Sequence, residues 1–530
     1  MELLEKGFVQ KSKKYTPGGL PFLQVQILEQ IYLDISQNKK TEIKKLSEVT
    51  GYPPTSKILL SAIDSLIKKK FLNNSLNNGF SVPMDRFNLF ERIINMHDYQ
   101  NKNYSTKLFE HLEKKSSQLE LFLEAKTVSE LNQFGVIHRW YNLLEEFPYS
   151  LIEKKIIEYK LQNSSLVVDP FCGSGTTLVS ANLFHLNAIG FDANPLMTFV
   201  STVKTTYDIE CNELERWIKK VAEQFLLEVK NIDKIKFTNG FLKSMPEREL
   251  NQWLSPRLQK EVYLLKDIIS QVCDPKIKNL LLLAMAKSCF DASYVSLCPG
   301  TTFYPFREKM EFWDLFTDKV IQMHEDLKAI QKHNNYGRSK LIADTCLNAH
   351  KYLKPDTIDL MITSPPYPND LEYTRQTRLE LYLLDFVKDM DDVQKIKRNM
   401  VKGSTKLIFK ESNSASFVEK FPEIIGCSER IYEKTKNKNW GFDYPRMVKE
   451  YFGDMYLCLK EFYRLMKPQS HFLLVVGDQT IKGVLIPVGD ILITIAKEIG
   501  YKYCCKELFR IRRSTGHSIP LPEEIVILKK

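Results

Sequence analysis

Two short stretches hold residues whose types and spacing suit chemistry. The first is Leu166–Asp192, LVVDPFCGSGTTLVSANLFHLNAIGFD. An apolar run (Leu166, Val167, Val168) predicts a strand ending at Asp169. A turn with Gly173 and Gly175 follows, and Thr176 and Thr177 open a helix. A second short strand, AIGF, ends at Asp192. Glycines let backbone approach a ligand, and a helix N-terminus offers free N–H groups and a positive dipole end. A carboxylate at the tip of the second strand is placed to accept hydrogen bonds from ribose hydroxyls. The second stretch is Thr363-Ser364-Pro365-Pro366-Tyr367, directly after the alternating run Ile358, Leu360, Ile362. There the Ser364 hydroxyl and the Pro365 carbonyl are acceptors, proline donates no competing N–H, and Tyr367 offers a stacking face.

The glycine turn is neither G-x-G-x-x-G nor G-x-x-x-x-G-K-[ST], so neither a dinucleotide nor a phosphate-cradling loop is favoured. DPFCGSGTT, covering Asp169, Pro170, Phe171, Gly173, Gly175 and Thr176, resembles motif I of S-adenosylmethionine-dependent DNA amino-methyltransferases. TSPPY resembles motif IV of the same enzymes, in the version most typical of N4-cytosine methylation; NPPY and DPPY are more typical of N6-adenine. The segment 138–160, with Trp140, Tyr141 and Phe147 ahead of Pro148 and a helical run, resembles motif X. The resemblance implies that Phe147 and Ser150 wall the methionine part of the cofactor. It also implies that Asp344, ending the strand KLIADT, lies near the adenine ring. The family likeness extends over about residues 138–530.

The chemistry implied is methyl transfer from S-adenosylmethionine to an exocyclic amino group. That nitrogen is a poor nucleophile because its lone pair is delocalised into the ring. Acceptors at Ser364 and Pro365 would draw it out of plane, with Pro366 stiffening the loop and Tyr367 stacking on the base. Direct in-line transfer relies on positioning, and the base must leave the duplex stack to be reached. A C5-cytosine mechanism needs a cysteine, usually in a Pro-Cys dipeptide. None occurs, Cys298-Pro299 has the reverse order, and Cys172 reads as a packing residue. Histidine spacing suggests no metal site.

These residues need a scaffold, and the pattern supplies an α/β one, which the resemblance implies is a Rossmann-like class I methyltransferase sheet, with a helical insertion and an N-terminal winged-helix-like domain. Residues 1–85 read as a winged helix-turn-helix module, basic through lysines such as Lys39, Lys40, Lys44, Lys45 and Lys68–Lys70. It suits phosphate contact; the alternative is a helical interaction module with a solvated lysine face. Residues 86–137 read as a helical linker and 138–530 as the methyltransferase domain. An insertion at 208–335 interrupts the α/β alternation. A further helical region at 371–460 has a polar, basic centre. Target recognition is open among 1–85, the insertion and 371–460. HFLLVVGD predicts a strand, IPVGDILITIAKEIGYK a helix, and ELFRIRR with EEIVILKK the antiparallel closing strands.

At 530 residues the chain exceeds one core, and roughly two to four domains are expected. A net charge of +10 permits a polyanionic partner without requiring one. Ten scattered cysteines without a C-x-x-C pair read as reduced thiols. The N-terminus lacks a signal-like apolar run, and no stretch of about 18 apolar residues predicts a membrane span. The expectation is therefore a cytoplasmic, site-specific DNA methyltransferase acting on double-stranded DNA, with cytosine N4 as target. The setting would be bacterial restriction-modification or defence, with a restriction endonuclease or other defence-system partner. Adenine N6 and tRNA guanine N2 are the alternative targets.

Overall fold

Val167 and Val168 are adjacent and both fully buried, which requires a strand covered on both faces. The computed structural model describes residues 135–143, 146–234, 241–296, 310–332, 335–438, 441, 443–513 and 520–530. The module expected at 1–85 and nearly all of the linker at 86–137 lie outside the described residues.

The strand is β1 (Leu166–Asp169), preceded by helix α1 (Tyr149–Glu158). Helix α2 (Thr176–Leu183), β2 (Asn187–Phe191) and α3 (Pro195–Lys204) follow. Further on come β3 (Ser339–Ile342), β4 (Ile358–Thr363) and β5 (Met466–Gly477). β1 pairs in parallel with β2 and β4, β2 with β3, and β4 with β5. Two short strands, β6 (Gln479–Ile481) and β7 (Val484–Ile486), form a separate antiparallel pair. β8 (Lys502–Arg513) and β9 (Pro520–Lys529) close the main sheet, with β9 antiparallel to both β5 and β8. The resulting order is β3-β2-β1-β4-β5-β9-β8. This mostly parallel α/β sheet is compatible with a Rossmann-like methyltransferase. Strand order reverses between β1 and β4, and such switch points open a crevice at the strands' carboxyl ends.

Two apolar layers cover the sheet. Val167, Leu360, Leu473 and Ile527 pack with Leu151, Ile152 and Ile156 of α1 and Leu178 of α2. Val168, Met361, Phe472 and Leu528 pack on the other face against α4 (Pro422–Thr435), α5 (Tyr444–Leu465) and α6 (Val488–Ile499). Ile358 joins the layer of Met361, although simple alternation groups it with Leu360 and Ile362. The register against β5 shifts between Ile358 and Leu360, and that irregularity moves it to the opposite face.

The region expected as a helical insertion contains Cys211–Glu228, Pro256–Ser270, Pro275–Ala292 and Phe312–Gln331. Its helix starts are local and readable. Ser255 and Asp274 cap the helices whose first residues are Pro256 and Pro275, the latter accepting from the Lys276 and Ile277 N–H groups. The last helix is locked to the chain before α1. Asp326, fully buried, accepts from the Ile137 N–H (3.0 Å), Arg139 Nε (3.1 Å) and Trp140 Nε1 (2.9 Å), and pairs with the Arg139 guanidinium. Trp140 thus serves as a brace between two distant segments.

Candidate active site

The glycine turn takes its shape from two left-handed residues, Gly173 (φ 47°) and Gly175 (φ 85°). A Cβ on Gly175 would sit 2.8 Å from Ser201 Oγ on α3, so the turn packs directly on that helix. Ser201 in turn donates to the Gly173 carbonyl at 2.7 Å. Asp192, the residue after β2, accepts from the Gly173 N–H at 3.0 Å and the Asn194 N–H at 2.8 Å. A carboxylate has about four acceptor positions, so Asp192 keeps capacity for a diol. Burial pushes its carboxyl up to about 6, opposed by the Asn194 and Gly173 N–H groups.

Asp169 ends β1 fully enclosed. One oxygen accepts from Thr177 Oγ1 (2.6 Å); the other accepts from Thr363 Oγ1 (2.6 Å) and the Phe171 N–H (3.0 Å). Burial pushes it to about 6 despite these three donors. Thr363 immediately precedes Ser364, so this carboxylate ties the glycine turn to the second motif. Cys172 is buried and its thiol is pushed well above its usual value by burial and by the Asp192 and Asp169 carboxylates. That is a packing environment, not one for a nucleophile.

The Ser364–Tyr367 loop leaves β4 at the switch point. Ser364 Oγ lies 3.4 Å from Tyr367 Oη. The Tyr367 ring, expected as a stacking face, is only 2% exposed. Its hydroxyl donates to Glu523 Oε1 of β9 at 2.6 Å, and the Arg512 guanidinium lies over the ring at 5.2 Å.

One open cleft gathers both motifs. From the first come Asp169, Pro170, Phe171, Gly173, Thr176 and Asp192; from the second, Ser364, Pro365, Pro366 and Tyr367. Phe147 also lines it, from the turn ahead of α1. Ser150, Gly175 and Asp344 fall outside that lining. Ser150 sits in the first turn of α1, half-buried. Gly175 shapes the turn from behind. Asp344 lies two residues beyond the end of β3. Burial alone would raise it, but hydrogen bonds from Asn348, Tyr352 and the Thr345 N–H hold its carboxyl below the usual range. Its neighbours Thr345 and Cys346 reach the cleft instead.

Other lining residues carried no sequence expectation. Asn194 caps α3, accepting from the Leu196 N–H at 3.1 Å, and donates to Thr377 Oγ1 at 3.1 Å across the cleft wall. The Asn-Pro pair at the start of α3 is a helix-start signal that would have flagged it. Tyr373 and the segment Asn399–Val401 also line the cleft, and nothing local marks them. Lys204, ending α3, is buried and donates to the Tyr141 carbonyl at 3.3 Å; burial lowers it to about 8.

Comparison with known proteins agrees with this geometry. A family model described as DNA methylase, of N6/N4 type, matches residues 8–198, which include the glycine turn and Asp192. The Type II methyltransferase M.BsoBI of Geobacillus stearothermophilus is 25% identical over 469 residues, covering 79% of this chain and 91% of that protein. M.AvaI of Anabaena variabilis is 26% identical, covering 72% and 82%. M.MvaI of Kocuria varians is 23% identical, covering 75% and 92%. The family model and the Type II relatives support an amino-methyltransferase of the N4-cytosine/N6-adenine family.

That family implies S-adenosylmethionine as methyl donor, and the cleft fits it. Phe147, Phe171 and Met197 supply apolar surface, Asp192 a diol acceptor, and Gly173 a close backbone approach. Among the described residues no group of acidic, histidine or cysteine side chains is arranged to hold a metal ion, and no helix is long and apolar enough to cross a membrane.

Proposed function

We propose that this methyltransferase modifies a specific sequence in double-stranded DNA, placing a methyl group on the N4 amino nitrogen of a flipped cytosine. The reading is carried by the opening of the Gly173–Asp192 turn and the Ser364–Tyr367 loop into one cleft at the β1/β4 switch point. The names of the Type II relatives support site-specific DNA methylation, and the serine at the head of the Pro-Pro-Tyr motif supports cytosine.

S-adenosylmethionine, when bound, supplies an electrophilic methyl group on a sulfonium. The protein supplies geometry. Asp192 accepts from the ribose hydroxyls, and Phe147 packs the methionine end. Ser364 Oγ and the Pro365 carbonyl accept the two amino hydrogens of the base. This turns the nitrogen lone pair toward the methyl carbon, and alignment of this kind provides much of the rate. A stacked cytosine cannot reach the loop, so the base rotates out of the duplex. The lysine-rich N-terminal module contacts the DNA backbone. The enzyme works in the cytoplasm of a restriction-modification or defence system, opposite a nuclease of the same sequence specificity.

The test is incubation of the full chain with labelled S-adenosylmethionine and duplex DNA, followed by mass spectrometry of the nucleosides. N4-methylcytosine is expected. Predominant N6-methyladenine would overturn the cytosine assignment, and labelling confined to tRNA would overturn the DNA assignment.

A further inference from the structure

Tyr367 is held in a way that stacking on a base does not require. Its hydroxyl has three neighbours: Glu523 Oε1 at 2.6 Å, the Val475 carbonyl at 3.3 Å and Ser364 Oγ at 3.4 Å. Glu523 and the Val475 carbonyl are acceptors, so the single Tyr367 hydrogen points to their side. Toward Ser364, Tyr367 then has only lone pairs to offer. The Ser364 hydrogen donates to Tyr367, and the Ser364 lone pairs turn outward to the cleft. Glu523 is 3% exposed and ion-paired with the Arg510 guanidinium on β8. Burial and the Glu523 charge hold the Tyr367 hydroxyl well above its usual value, so it stays a donor.

We propose that Glu523 is a positioning residue for methyl transfer: acting through Tyr367, it orients the Ser364 hydroxyl so that this group can only accept from the amino group of the base. The proposal rests on the role assigned above to Ser364. Without Glu523 the Tyr367 hydrogen keeps only the Val475 carbonyl at 3.3 Å and can swing to Ser364 Oγ at 3.4 Å. It then occupies the lone pair meant for the substrate and turns the serine hydrogen toward the amino group. The direction of a two-bond chain thus decides whether the loop attracts or repels the target nitrogen. The closing strands β8 and β9 thereby act on the chemical step as well as completing the sheet.

The experiment compares Glu523→Gln, Tyr367→Phe, Ser364→Ala and the double variant Tyr367→Phe/Glu523→Gln. Thermal unfolding, S-adenosylmethionine affinity and single-turnover transfer to duplex DNA are measured on each. Glu523→Gln and Tyr367→Phe are each expected to slow transfer by about 10²-fold with cofactor affinity unchanged. The double variant is expected to be no slower than the worse single, because both break one chain. Multiplicative losses, or a normal transfer rate in folded Glu523→Gln, would overturn the proposal. If Glu523→Gln does not fold, Tyr367→Phe carries the test, since it keeps the ring under Arg512; an undiminished rate there overturns the proposal as well. Full activity in Ser364→Ala would instead remove the underlying role of Ser364. An inactive Ser364→Ala beside active Tyr367→Phe and Glu523→Gln would remove the chain alone.

Discussion

Thr363 Oγ1 donates to the Asp169 carboxylate across 2.6 Å, joining the residue before Ser364 to the last residue of β1. This bond makes the two motifs one unit: the turn proposed to hold the methyl donor and the loop proposed to hold the base share a buried carboxylate. Thr363→Val keeps the shape and removes the donor. Loss of a hydrogen bond to a buried charged group costs about 1.5–3 kcal/mol. Cofactor affinity and transfer rate should fall together, as read by calorimetry and single-turnover assay. A fall in only one would show that the motifs move independently.

Separation of roles should appear further along each motif. Ser364→Ala is expected to lower the transfer rate far more than cofactor affinity. Asp192→Ala is expected to weaken cofactor affinity through loss of the ribose acceptor. Equal cofactor loss in both variants would contradict the assignment.

Asp192 also sets a pH dependence. Burial raises its folded-state value to about 6, above the ordinary carboxylate value. As pH rises, the protonated form that folding favours is given up on passing about 6. The stability contributed by that proton is therefore full below the ordinary carboxylate value of 3.8, declines from there to about 6, and is gone above it. Cofactor affinity runs the opposite way, because only the ionised carboxylate accepts from both ribose hydroxyls. Affinity should rise through about pH 6 and then level. Asp192→Asn should flatten the profile measured by titration calorimetry.

Gly175 tests the turn. Its φ is 85°, and a side chain there would meet Ser201 Oγ at 2.8 Å. Gly175→Ala should cost about 1–2 kcal/mol for the left-handed backbone alone, with weaker cofactor binding. Normal stability and affinity would mean that the turn relaxes away from α3.

Asp326 tests the brace between the segment before α1 and the helix Phe312–Gln331. Asp326→Ala leaves Arg139, 9% exposed, without its carboxylate. Breaking a buried ion pair costs about 3–5 kcal/mol, so a large fall in unfolding temperature is expected. A fall no larger than for an exposed ion pair would show that the segment detaches without consequence.

Much of the site is legible in the sequence because its signals are local. Strand, glycine turn and helix lie within Leu166–Leu183, and Asp192 follows one short strand later. Ser364–Tyr367 likewise announces itself by the run of β4 before it. The closing strands and the helix Val488–Ile499 are readable for the same reason, since hydrophobic period and turn residues act over a few positions. Asp344 marks the limit. Its strand is legible, but its carboxyl turns to Asn348 and Tyr352 rather than into the cleft.

The sequence by itself singled out the candidate residues: the glycines, the acids Asp169 and Asp192 and the Ser-Pro-Pro-Tyr loop. Only the tertiary structure decided how they are held. Asp169 meets Thr363 across 194 residues, Arg139 meets Asp326 across 187, and Tyr367 meets Glu523 across 156. No period or spacing marks such partners: the first and third pairs become neighbours only when sheet order places β4 beside β1 and β9 beside β5, and the second only when the helix Phe312–Gln331 packs on the segment before α1. Burial then makes each bond matter, since a polar group removed from water must find its partner inside the protein.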